Sequence, residues 1–98
     1  MTRERPDHIV LCESAVDAVS YYVLHSHCMA ISTAGVSASP AWLPEIINLG
    51  LEVFCGFDAD DVGDCMANKM IAKHPGIQRK KPTQKDWNEV LMSRSALL

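Results

Sequence analysis

The sequence predicts an α/β domain: a parallel four-stranded sheet with helices on both faces. Two observations carry that expectation. Residues 8–12, 28–32 and 51–57 are short, almost continuously apolar runs, as expected of strands buried on both sides rather than on one. Between them lie stretches whose apolar residues recur at helical spacing, so strand and helix alternate along the chain. The length supports one domain and no more, since 98 residues with 48% hydrophobic side chains can bury one core.

Each element has its own signal. The first strand, His-Ile-Val-Leu-Cys at 8–12, lies between Pro6-Asp7 and Glu13-Ser14. Ser14 and Asp17 have capping-box spacing, and Ala15, Val16, Ala18, Val19, Tyr22 and Val23 continue a helix to about His25. A second strand at 28–32 runs into a turn at Thr33-Ala34-Gly35. Ser39-Pro40 predicts a helix start and Gly50 its end, with Leu43, Ile46 and Ile47 inward. The third strand covers 51–57, and a third helix runs from Val62 to about Lys73 with Met66, Met70 and Ile71 inward. A weak basic strand is expected at 77–81. A last helix begins near Asp86, which has capping-box spacing with Glu89.

Composition excludes several classes of function. Nine basic against twelve acidic residues give a net charge of −3, without the basic surface by which a freestanding protein grips nucleic acid. No run of about 18 apolar residues could span a bilayer, and the N-terminus lacks the long apolar stretch of a signal peptide. A cytoplasmic location is expected. Cys12, Cys28, Cys55 and Cys65 form no Cys-x-x-Cys pair, which argues against structural zinc and for reduced, packing cysteines.

In a parallel α/β sheet, ligands bind where the carboxyl ends of the strands open. Here those ends are acidic. The first strand leads into Glu13, and the third into Asp58, Asp60, Asp61 and Asp64, four of the twelve carboxylates within seven residues. Asp61 and Asp64 suit the N-terminus of the following helix. Asp58 and Asp60, two apart and about 6.6 Å along an extended chain, exceed what one cap requires. With Glu13 they form a hard oxygen donor set suited to Mg²⁺ or Mn²⁺. An EF-hand fails, because its fifth and twelfth positions would be Val62 and Lys69. Neither Gly-x-Gly-x-x-Gly nor Gly-Lys-Ser/Thr occurs.

These residues resemble the Toprim domain, a family that includes bacterial-type primases, type IA and type II topoisomerases, OLD-type nucleases and RecR-like repair proteins. Cys12-Glu13-Ser14-Ala15-Val16-Asp17 resembles the strand-glutamate segment of the primase branch, with Ser14 where glycine is usual. Phe57-Asp58-Ala59-Asp60-Asp61-Val62-Gly63 resembles its Asp-x-Asp segment. Thr33-Ala34-Gly35 resembles the turn after the second strand, and Lys85-Asp86-Trp87-Asn88-Glu89-Val90-Leu91 the Lys-Asp ending of primase-like proteins of mobile elements. The resemblance implies a Toprim-like (Rossmann-like) fold and a Mg²⁺- or Mn²⁺-dependent nucleotidyl- or phosphoryl-transfer module of a primase-like DNA replication or mobile-element protein. It implies Glu13, Asp58 and Asp60 as catalytic and metal-binding residues, with Asp17, Asp61 and Asp86 secondary and Lys85 binding phosphate. The Arg79, Lys80, Lys81 and Lys85 set reads otherwise as a solvated basic edge.

The alternatives are a nuclease module, which needs the same acids, and a non-catalytic module binding metal or nucleic acid. Topoisomerase chemistry is disfavoured, because Tyr21 and Tyr22 fall within the first helix, away from the acidic rim. The zinc-binding module and basic subdomain of such primases cannot fit in this length. The chain is therefore expected to be one module of a larger protein, inactive alone, meeting DNA or RNA and nucleotides through other domains or a partner chain that supply basic surface.

Overall fold

The computed structural model describes residues 5–35 and 39–95. In chain order the elements are β1 (His8–Cys12), α1 (Ala15–Leu24), β2 (Cys28–Ser32), α2 (Leu43–Ile47), β3 (Glu52–Cys55), α3 (Asp61–Lys73), β4 (Gln78–Arg79) and α4 (Trp87–Ser95). The strands form one parallel sheet in the order β2-β1-β3-β4. The predicted fold class is therefore observed.

Alternation along the strands builds two cores. Ile9, Leu11, Val53 and Cys55 point to one face, where Leu43 of α2 and Ala67 and Met70 of α3 cover them with Phe57 and Ile77. Val10, Cys12 and Cys28 point to the other, under Ala18 and Tyr21 of α1 and Trp87 of α4. Strand β1 is buried from both sides, with Ile9 through Cys12 fully inaccessible, which is why its sequence has no polar alternation.

This strand order has a functional consequence. From β1 the chain moves to β2 on one side, and from β3 it moves to β4 on the other. Crossovers that keep one hand must then leave toward opposite faces, so β1 and β3 diverge at their carboxyl ends. A crevice opens at such a switch point, and it is where open α/β sheets bind ligands.

Three elements differ in extent from expectation. The second helix does not begin at Ser39-Pro40 but at Leu43, with Trp42 as its N-cap and a proline in its first turn. Pro44 explains this: inside a helix its ring would strike the carbonyl of residue 40, so the helix has to start late enough to keep Pro44 in that turn. Pro40 instead closes a turn, its carbonyl accepting from the Leu43 N–H. The helix also ends early, at Ile47 with Asn48 as its C-cap, and Gly50, where its end is expected, lies two residues beyond that cap at φ +80°.

Strand β3 stops at Cys55, not 57, because the carbonyls beyond it leave the ladder: that of Gly56 accepts from the Trp87 indole, and those of Phe57 and Asp58 from Arg79. Strand β4 has two residues rather than five. Its start is turned away by the Ile77 N–H bonding the His74 carbonyl, and Pro82 has no N–H with which to extend it. Val36 and residues 1–4 lie outside the described residues.

Candidate metal centre

Three elements bring carboxylates to the β1/β3 crevice. Asp17 lies in the first turn of α1, Asp58 just past β3, and Asp86 immediately before α4. One oxygen from each lies within 4.8 Å of the others. Their positions follow from local hydrogen bonding. Ser14 caps α1, its Oγ accepting from the Asp17 N–H at 3.2 Å and donating to Asp17 Oδ2 at 3.0 Å. The Asn88 N–H of α4 donates to Asp17 Oδ1 at 3.2 Å. Asp17, only 6% exposed, thus joins the N-termini of two helices. Asp86 caps α4 by accepting from the Glu89 N–H at 2.8 Å, while Glu89 accepts in return from the Lys85 N–H at 3.2 Å.

The turn after β3 is held from several sides. Glu13 Oε1 accepts from the Asp58 N–H at 3.1 Å, so the two strand ends are linked directly. The Ala59 N–H donates to the Lys85 carbonyl at 2.7 Å, pinning the segment before α4 to this turn. Asp60 is the N-cap of α3, its Oδ1 accepting from the Gly63 N–H at 2.7 Å. Asp64 pairs with Arg79 and Lys81.

The expected site residues are therefore distributed as follows. Asp58 meets Asp17 and Asp86. Glu13 stands beside them with one oxygen engaged by the Asp58 amide, and Asp60 gives an oxygen to helix capping. Asp61 is exposed in the first turn of α3 and outside the three-carboxylate cluster. Lys85 contacts the turn through its backbone, its side chain being exposed. Sequence reasoning missed the scaffold of this site: the Asn88 amide on Asp17, and Arg79 on the carbonyls of the turn. Backbone contacts between distant segments leave no pattern in residue types.

The electrostatics are those of an acidic pocket whose carboxylates raise one another's proton affinity. Burial, then the charges of Glu13, Asp17, Asp86 and Asp60, push the Asp58 carboxyl up to about 6. Burial also raises Glu13, against the lowering effect of the Asp58 amide that it accepts. Among the described residues no lysine or arginine forms an ion pair with Glu13, Asp17, Asp58, Asp60 or Asp86. An all-oxygen donor set converging from three elements, with no lysine or arginine paired to it among the described residues, fits a hard divalent cation.

Residues 10–91 match the family model described as Toprim-like. The chain belongs to the Toprim-like family. A solved structure titled "Structure of small TOPRIM domain protein from Bacillus stearothermophilus" is similar to this Toprim-like chain with a TM-score of 0.68 and 17% sequence identity. The similarity covers 94% of this chain and 87% of that one. At that identity the likeness speaks for the fold alone. No curated protein matches the chain. No helix among the described residues is long and apolar enough to cross a membrane.

Proposed function

We propose that this chain is a Mg²⁺- or Mn²⁺-dependent nucleotidyl- or phosphoryl-transfer module acting on nucleic acid or nucleotides. The observation that carries this reading is the meeting of Asp17, Asp58 and Asp86 at the switch point, beside Glu13. Asp58, Asp17 and Asp86 would hold the cation, with Glu13 and Asp60 at its margin. The bound cation supplies charge neutralisation at phosphate oxygens. Glu13 keeps one carboxylate oxygen off the Asp58 amide and, with its raised proton affinity, is placed to hold or give up a proton at the rim. Lys85, exposed next to Asp86, is the phosphate contact.

Within this class the primase-like reading is favoured, because the Lys85-Asp86 segment furnishes a carboxylate of the cluster and a backbone bond to the Asp58 turn. With a net charge of −3, the chain works as a module beside domains or a partner chain that carry the basic surface. A cytoplasmic setting, where thiols stay reduced, suits four free cysteines of which three are buried.

The test begins with Mn²⁺ and Mg²⁺ titrations of the wild type against Asp58→Asn/Asp86→Asn. Cation binding present in the first and absent in the second supports the site. Glu13→Gln in the intact parent protein is expected to abolish primer synthesis on single-stranded template while leaving folding nearly unchanged. Cleavage of the template without synthesis would replace the primase reading by the nuclease one. Metal and template binding without turnover would make the module non-catalytic, and full activity of Glu13→Gln would overturn that residue's role.

A further inference from the structure

Strand β4 ends after two residues, so the carbonyls of Phe57 and Asp58 lie beyond the last strand that could pair with them. One side chain answers both. Arg79 Nη1 donates to the Phe57 carbonyl at 2.6 Å and to the Cys55 carbonyl at 3.3 Å. Its Nη2 donates to the Asp58 carbonyl at 2.9 Å and to Asp64 Oδ1 at 2.9 Å. The side chain is 20% exposed, and Lys81 holds the other Asp64 oxygen at 3.0 Å. Both terminal nitrogens are thus engaged by the protein itself, unlike those of a residue waiting for phosphate.

Resting on the metal site proposed above, we propose that Arg79 is the positioning residue of that site, the clamp that fixes the turn from Asp58 to Asp60 for cation binding. It grips Asp58 by the carbonyl while Glu13 grips the same residue by its N–H. The Asp58 backbone is held from both sides, and its carboxylate is left free for a ligand. A guanidinium on the carboxylate itself would compete with the cation. A planar fork is needed for this task, because it reaches several acceptors in fixed geometry, whereas an ammonium is a point charge on a flexible stem.

The experiment compares wild type, Arg79→Lys, Arg79→Met and Asp64→Asn in the full chain. Mn²⁺ affinity is read by electron paramagnetic resonance, and amide hydrogen exchange is read in EDTA. Arg79→Lys, which keeps the charge, is expected to lose about ten- to a hundredfold in Mn²⁺ affinity, as Arg79→Met does. Exchange at the Asp58 and Gly63 amides should rise about tenfold, the scale of one lost charge-assisted hydrogen bond, while the Val10 and Phe54 amides of the β1 ladders stay protected.

Wild-type affinity and exchange in Arg79→Lys would overturn the proposal, since charge alone would then suffice. Uniform acceleration of all amides would also overturn it, by making the effect one of general stability. Should Arg79→Lys not fold, Asp64→Asn decides: a smaller change in the same direction supports the clamp, and none refutes it. Wild type that binds no Mn²⁺ would defeat the metal reading, and the exchange data would still decide whether Arg79 holds the turn.

Discussion

Asp58 carries most of the tension in this molecule. Its carboxyl titrates near 6 in the folded chain against 3.8 when unfolded, so between those values the folded state binds the extra proton. Stability without metal should therefore fall as pH rises from about 4 to about 6, by on the order of 1–2 kcal/mol once solvent screening of this half-buried group is allowed for. Glu13, raised in the same direction, adds to the trend. In EDTA, Asp58→Asn is expected to melt higher than wild type at pH 7.5 and no higher at pH 4. Calorimetric scans across that range check this, and a wild-type advantage at pH 7.5 would show that the acidic cluster is not under strain. At this scale much was legible: acids at strand ends identify Asp58 and Glu13 as neighbours of a crevice. Whether Asp60 caps the third helix or faces a ligand could be posed from the sequence but not decided, because Asp-x-Asp reads alike in either case; it gives an oxygen to the Gly63 amide.

Among the elements, the β3–α3 turn is the most tightly built. A Cβ on Gly63 would lie 2.0 Å from the Asp58 carbonyl oxygen, the same oxygen that Arg79 binds. Gly63→Ala must open the turn, and is expected to cost about 1–3 kcal/mol in urea unfolding and to weaken Mn²⁺ binding. An unchanged affinity would show that Asp58 is placed by something other than this turn. The helices were largely readable, since Ser14, Asp86 and Glu89 do the capping that their spacing announces. The strand ends were less so. Whether β3 continues past Cys55 depends on Trp87 and Arg79, which reach back from 31 and 24 residues further along, and no local pattern records such contacts.

For the whole molecule, cation binding should couple to folding, because the donor oxygens converge only in the native chain. At a Mg²⁺ concentration 100 times its Kd, stabilisation of about 2.7 kcal/mol is expected, and Asp58→Asn/Asp86→Asn should show none; thermal shift against Mg²⁺ measures it. Sheet class and helix layers could be read from the apolar runs, whereas the order β2-β1-β3-β4 could not, since pairing among buried strands is chosen by crossover geometry. The spread of the cluster along the chain, from Asp17 to Asp86, also bears on biosynthesis. A nascent chain leaving the ribosome presents Asp17 and Asp58 early, yet the pocket stays one carboxylate short, and Asp17 lacks its Asn88 partner, until the segment around residues 86–88 has emerged. On the proposed reading, the cation site is completed only when this last segment of the domain docks, after the sheet and its first three helices are already formed.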